Sequence, residues 1–409
     1  MKIKEAEIKI ILDSRGQETL EAEMESGKGK RVKSSVPSGK SRSAYEAFVL
    51  NPREAKKIFE EEVREKITKI DFLYQDEFDN FLIKLDGTEN KKRLGGNLIL
   101  ALSLAFARLK AEEEELELFE YINKIYQGTM HRVNPTLPRM IFNMINGGSH
   151  ADNDLEIQEF QVIPQHETIA EGIMAAKKFY RELEEELKNR FEAGEIKLGD
   201  EAGFSAPIRG NEQAIKILKE TAREFAFREK ISFDLSLDAA ASSFYEKDKA
   251  KYKLNKEELS AKDLEEYYEY LIHKYGIIAL EDPFFEDAFG EFAIINKRKG
   301  IYIVADDLTS TNPHRVKMAV DAGAADAIII KPNQAGSLTE TIEAAKIAHE
   351  AGWQLIVSHR SGETEDDFIA DLAVGLSAWG IKSGAPETKY RLNKYFRLSE
   401  IEKILNKSL

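Results

Sequence analysis

Five apolar runs in the C-terminal half of this chain each end on a charged or titratable residue, at nearly regular intervals. Ile231–Leu237 ends at Asp238, Ile277–Leu280 at Glu281, Ile301–Ala305 at Asp306, Ala327–Ile330 at Lys331, and Leu355–Ser358 at His359-Arg360. Stretches of helical periodicity, such as Leu338–Ala351, lie between them. Buried parallel strands read as uninterrupted Val/Ile/Leu runs, and alternation with helices makes a parallel α/β layer. Charges that begin where each strand stops all meet at one face, and in a closed barrel that face holds the active site. A single charged strand end is ordinarily a solvated loop start. Five in succession, carrying three carboxylates, a lysine, a histidine and an arginine, predict a metal-assisted acid/base site.

The chain has 409 residues, enough for two or three domains, although one barrel absorbs about 250. Residues 3–12 and 19–26 read as strands joined by an Asp13-Ser14-Arg15-Gly16 turn, with a third strand near 31–36. Helical patterns follow at Ala55–Ile70 and from Asn97 into the 120s. The second reads as one long helix whose acidic stretch, Glu112–Glu117, is a solvated face. The segment Gln127–Pro138, with Gly128, Pro135 and Pro138, is the best linker. The expected fold class is α/β, with a small N-terminal α+β domain at 1–128 and a C-terminal β/α barrel at 129–409. The barrel starts irregularly. After a strand at Ile157–Ile163 come a helix at Ala170–Glu192 and loops rich in Gly and Asp.

The formal charge is 59 − 73 = −14, which opposes binding to nucleic acid or anionic membranes. An anionic substrate therefore needs local cations or a metal. The absence of cysteine excludes disulfides, zinc-thiolate sites and a thiol nucleophile. The N-terminus, MKIKEAEIKI, has no signal-peptide core, and no apolar stretch approaches the ~18 residues of a membrane span. A cytoplasmic location is expected.

With these residues laid out, the chain resembles the enolase family over nearly its whole length. The matching segments include LDSRG (12–16), VPSG with Ser41 and Tyr45-Glu46-Ala47 (36–47), FNMINGGSHADNDLEIQEF (142–160) and LGDEAGF (198–204). Others are LEDPF (280–284), ADDLTSTNP (305–313), KPNQAGSLTET (331–341), VSHRSGETEDDFIADLAVGL (357–376) and IKSGAP (381–386). So many long, collinear segments are specific. The resemblance implies reversible, Mg²⁺-dependent dehydration of 2-phospho-D-glycerate to phosphoenolpyruvate, a step of glycolysis, through an enolate.

Asp238, Glu281 and Asp306 supply three hard oxygen ligands, which suit Mg²⁺ better than Zn²⁺. By resemblance they hold one ion, and Ser41 ligates a second when its loop closes, making two ions at turnover. Lys331 is then the base. A divalent cation and the Arg360 guanidinium nearby are expected to favour its neutral form. Glu201 matches the acid that protonates the departing hydroxyl, with Glu159 beside it. Two close carboxylates push each other's pKa values apart, so one stays protonated. Arg360 and Ser361 match the phosphate-binding pair, Lys382 the carboxylate contact, and His150 and His359 the two active-site histidines. Gln158 is placed among the substrate contacts on the same ground.

The match breaks in three places. The first loop reads Ser38-Gly39-Lys40-Ser41-Arg42-Ser43, with two added cations and a serine where the family has a final glycine. This is drift on a surface loop, altered loop closure, or accommodation of a more anionic ligand. In the second loop Ala202 replaces a glycine and Ser205 is an insertion. At the C-terminus, Thr388-Lys389-Tyr390-Arg391 stands where the family has Arg-Ser-Glu-Arg. An ungapped match places Arg15 opposite Lys403, and Glu21 opposite Glu400, across the family's dimer interface. A homo-oligomer with altered salt bridges is expected. The rival readings are a diverged lyase acting on another anionic acid and a non-catalytic scaffold of the same fold.

Overall fold

The computed structural model describes residues 1–39, 43–128, 134–297 and 300–407. Lys40, Ser41 and Arg42 of the first loop lie outside the described residues, as do 129–133 of the expected linker.

Three antiparallel strands open the chain: β1 (Ile3–Leu12), β2 (Glu18–Ser26) and β3 (Arg31–Ser35). Asp13 sets the turn between the first two, its Oδ1 accepting the amides of Arg15 and Gln17 at 2.8 and 2.9 Å. Alternate residues of β2 (Leu20, Ala22, Met24) are buried, as expected for a sheet with one face on a core. They pack toward helix α1 (Gly96–Glu113).

The long helix read from Asn97 onward is two helices. α1 ends at Glu113, and α2 runs Leu118–Gln127. Glu115 takes a left-handed backbone (φ 55°), and Glu117 starts α2 through a capping box with Glu120. The acidic stretch is therefore a break with a cap. Glutamate is a good helix former, and no Gly or Pro marks the turn. The predicted helix at Ala55–Ile70 is also segmented, into Pro52–Ile58, a π-wound Phe59–Val63, and Arg64–Lys69.

Eight strands then close a barrel: β4 (Arg139–Asn146), β5 (Glu159–Pro164), β6 (Phe233–Asp238), β7 (Ile277–Glu281), β8 (Tyr302–Ala305), β9 (Ala327–Ile330), β10 (Gln354–Ser358) and β11 (Gly380–Lys382). β11 pairs back onto β4. Every neighbouring pair is parallel except those made by β5, which runs antiparallel to both β4 and β6. That reversed strand is the irregular start. Ile141, Ile163, Val304, Ile329 and Ile356 form a separate apolar cluster on these strands, a side-chain layer such as fills barrels of this kind. Helix α3 (Leu338–Glu350) follows β9 on the outside. Among the described residues, no helix is long and apolar enough to cross a membrane.

Candidate active site

The strand ends converge as the apolar runs predict. Asp238, Glu281 and Lys382 are the last residues of β6, β7 and β11, while Asp306, Lys331 and His359 immediately follow β8, β9 and β10. Glu159 is instead the first residue of β5. Because β5 is reversed, its start lies at the mouth, directly opposite Asp238 on β6 and Asn146 on β4. One cavity of about 320 Å³ is lined by every described residue predicted for the site except Glu281. Glu281 sits beside it, paired in register with Asp238. The predicted Ser41 falls outside the described residues.

Two ammonium groups hold the carboxylate wall. Lys382 Nζ donates to both oxygens of Glu281 at 2.7 and 3.0 Å, and stands 3.3 Å from Glu159 and 3.8 Å from Asp238. Lys331 Nζ donates to Asp306. Burial pushes Asp238 up to about 7 and Glu281 up to about 8. Burial pushes Asp306 the same way, but the Lys331 ammonium outweighs it and holds the group below its ordinary value. This wall has more carboxylate than the lysines neutralise, and its all-oxygen donors are the chemistry of a hard divalent cation. The oxygens of Asp238, Glu281 and Asp306 are not drawn into one coordination sphere here. Among the described residues, the acidic groups that are so drawn together are Asp282, Asp306 and Asp307, and Glu159 and Glu201 with His150.

Lys331 departs from the expected direction. Burial pulls it down, and Arg360 and Lys382 act the same way, yet the Asp306 carboxylate leaves it above the ordinary lysine value. In this arrangement the lysine is charged.

The second wall carries the paired glutamates. Glu201 accepts from Asn143 Nδ2 at 3.1 Å and lies 3.4 Å from His359 Nε2. Glu159 accepts from Gln161 Nε2 at 2.5 Å. Burial, then the nearby Glu201 charge, pushes Glu159 up to about 8. Glu201 is equally buried, but His359, His150 and Arg391 hold it well below the usual carboxylate range. The pair is split as two close carboxylates should be, with the proton on Glu159. Gln158 bridges the walls. Its Oε1 accepts from Ser149 at 2.7 Å, and its Nε2 donates to Asp238 at 3.3 Å.

Arg391 escaped the residue-level reading. It is 1% exposed and contacts His359 Nδ1. Arginine only donates, so Nδ1 accepts and the ring proton sits on Nε2, facing Glu201. Burial holds His359 down at about 4, so the ring is neutral. Arg391 also donates to the carbonyls of Arg360 and Ser361 at 2.6 and 2.7 Å. Its Nη2 reaches the Asp200 carbonyl at 3.0 Å, tying β10's exit to the Glu201 loop. Only its place in the altered C-terminal segment marked it.

At the other end of the cavity, Glu46 engages the Arg360 guanidinium at 3.1 and 3.3 Å, and Asn333 accepts from it at 3.2 Å. Gly39 lies against the same group. A Cβ there would come within 2.1 Å of Arg360 Nη2, so a close approach, not a turn, requires glycine. Ser43, at the end of the first loop, shares a 2.5 Å hydrogen bond with Ser310. In the second loop Ala202 adopts φ 64°, the conformation a glycine would take without penalty. Ser205 extends a two-residue strand and accepts from Asn153 at 3.2 Å.

Arg15, matched to a partner's Lys403, is turned onto its own chain. It donates to Ser38 at 2.8 Å and to Ser361 at 3.4 Å, with Asp13 at 3.4 Å. Glu21 lies 3.6 Å from Lys33, and Glu400 lies 3.3 Å from Arg397.

A closed barrel with one reversed strand, an N-terminal α+β domain and an acid–base mouth defines a capped-barrel protein with a carboxylate-rich site. Residues 3–122 match the enolase N-terminal domain, and residues 134–408 match the enolase C-terminal TIM barrel domain. The chain belongs to the enolase family. It is 41% identical over 411 residues to an enolase of Aeropyrum pernix, covering 97% of this chain and 93% of that one. It is 38% identical to the enolases of Methanopyrus kandleri and Methanocaldococcus jannaschii. Those matches cover 97% and 99% of this chain, and 94% and 96% of theirs.

Proposed function

We propose that this protein interconverts 2-phospho-D-glycerate and phosphoenolpyruvate by stepwise elimination of water, as a phosphopyruvate hydratase of glycolysis and gluconeogenesis. The observation that carries the reading is one cavity in an enolase-family chain lined by Lys331, the Glu159–Glu201 pair and the carboxylate wall.

Asp238, Glu281 and Asp306 would hold the first of two Mg²⁺ ions, and by family resemblance Ser41 would contribute to the second. The ions supply electrostatic stabilisation of the charge that builds on the substrate carboxylate, ordinarily the largest catalytic term. Lys331 removes the proton α to that carboxylate, which requires its Asp306 contact to be relieved. Lys382 orients the carboxylate, Gln158 and His150 contact the substrate, and Arg360 with Ser361 takes the phosphoryl group. The Glu159–Glu201 pair delivers one proton to the departing hydroxyl, and His359 and His150 stabilise the glutamate that stays ionised.

This complement of base, acid pair and oxygen wall disfavours a scaffold, and the Arg360-Ser361 pair favours a phosphorylated substrate over other acids. We assign the protein to the cytoplasm, place the domain boundary near residue 128, and assign a homo-oligomer that does not depend on Arg15. Turnover of 2-phosphoglycerate with Mg²⁺, followed at the absorbance of the enol phosphate, tests the reading. Its absence across divalent metals would reject it.

A further inference from the structure

Beneath the paired glutamates, three polar side chains stand in one row across the barrel wall. Asn143 on β4 is opposite Gln161 on β5, and Gln161 is opposite Ser236 on β6. They are 2%, 3% and 3% exposed. Residues two apart on a strand share a face, so Ile141 and Ile163 continue the same inward faces into the apolar layer of the barrel. Such interiors are ordinarily filled by branched apolar residues, and buried polar groups placed there call for partners.

The partners are the two acids. Asn143 Nδ2 donates to Glu201 Oε2 at 3.1 Å. Gln161 Nε2 donates to Glu159 Oε2 at 2.5 Å, and Ser236 Oγ donates to Gln161 Oε1 at 2.6 Å. An amide accepts at its oxygen and donates at its nitrogen, so the serine hydroxyl on Oε1 leaves the nitrogen to face Glu159. Glu159 Oε2 meets a second donor, Lys382 Nζ, at 3.3 Å. A proton on Oε2 would point at the hydrogens of both. Glu159 Oε1 lies differently. It is 3.8 Å from His150 Nδ1, a buried nitrogen without a hydrogen-bond partner among the described residues, and Glu201 Oε1 stands 3.8 Å from the same atom.

From this geometry we infer that Gln161 is a positioning residue for the acid step of the proposed hydratase reaction, on which reading the inference rests. With Ser236 it holds the Glu159 carboxyl so that Oε1, not Oε2, carries and gives up the proton. That proton leaves Oε1 and passes through the Glu159–Glu201 pair to the departing hydroxyl. The carbon–oxygen bond breaks with its electrons staying on oxygen, and water is released. The charge left on Glu159 is met at Oε2 by the Gln161 amide and the Lys382 ammonium, an interaction stronger in a buried site than in water. An amide turned end for end would set an acceptor against Oε2 and draw the proton into the barrel, away from the substrate.

Dehydration of 2-phosphoglycerate and solvent exchange of its α-proton, measured side by side on the full chain in saturating Mg²⁺, test this. Gln161→Met keeps the length of the side chain and removes its amide. Because a misplaced acid forfeits part of its ~10²–10⁴-fold contribution, kcat for dehydration should fall about tenfold or more, with KM within about twofold and exchange near native. Ser236→Ala frees the amide to turn and should show the same split to a smaller degree. Ser236→Thr retains the hydroxyl and should restore the native rates. A purely structural role would lower both steps together. Native kcat in Gln161→Met, equal loss of dehydration and exchange, or native rates in Ser236→Ala would each overturn the inference, while turnover by the native chain leaves the hydratase reading standing. A native chain without turnover would instead reject that reading, and this inference with it.

Discussion

His150 Nδ1 stands 3.8 Å from a carboxylate oxygen of Glu159 and 3.8 Å from one of Glu201, so one imidazole is shared by two acids in opposite protonation states. Burial raises one of them, and the two histidines with Arg391 lower the other. On the proposed reading, the proton for the departing hydroxyl rests on Glu159 and passes through the pair. Glu201→Gln should still exchange the substrate's α-proton with solvent while losing at least 100-fold in dehydration. Glu159→Gln should fail at the same step. Deuterium exchange against product formation separates the two steps, and dehydration without exchange would show that acid and base had been interchanged.

Asp306 both pairs with Lys331 and stands at the end of the carboxylate wall. Asp306→Asn should raise the Mg²⁺ concentration needed for half-maximal activity at least tenfold, since a hard cation loses one anionic ligand. Titration of activity with Mg²⁺ after chelator treatment measures it. An enzyme indifferent to the chelator would contradict the assignment of the wall.

Ala202 holds φ 64° beside Glu201. A left-handed backbone costs a non-glycine residue about 1–2 kcal/mol, so Ala202→Gly should raise stability by up to about 1 kcal/mol. The denaturation midpoint at constant m-value reads this directly. A loss of stability would mean that the buried methyl group packs well enough to offset the backbone strain.

The strand ends were legible because parallel barrel strands are buried on both faces and read as apolar runs, leaving charges to mark where each stops. Asp238, Glu281, Asp306, Lys331 and His359 were found on that pattern alone. The direction of β5 carried no such mark, so the placing of Glu159 rested on the family resemblance, and its geometry emerged only with the antiparallel pairing to Asp238. The helix break at Glu114–Glu117 was hidden by residues that favour helix. Arg391 and Glu46 were hidden differently, because their partners, His359 and Arg360, are distant in sequence and no local pattern encodes such a contact.

Asp79 gives a pH dependence away from the mouth. It joins the N-terminal domain to the start of α3 by accepting the Thr339 amide and hydroxyl at 2.9 and 2.6 Å. Burial pushes it up to about 6, above the ~3.9 of an unfolded aspartate. The folded state therefore keeps a proton that the unfolded chain has lost. This contribution is fully present below pH ~4 and disappears as pH rises through about 6, changing by about 1.4 kcal/mol per unit between. Chemical denaturation of the native chain and Asp79→Asn across pH 4–7 should show this downward slope only in the former. Parallel profiles would rule out Asp79 as its source.

Solvent exchange of the α-proton of 2-phosphoglycerate, compared between the native chain and Lys331→Ala in saturating Mg²⁺, tests the central claim most directly. The native chain should exchange and dehydrate. Lys331→Ala should lose both by about 10²–10⁴-fold or more, while still binding Mg²⁺ and phosphoenolpyruvate. Near-native exchange in Lys331→Ala would contradict the account, because the proton would then be leaving to another base.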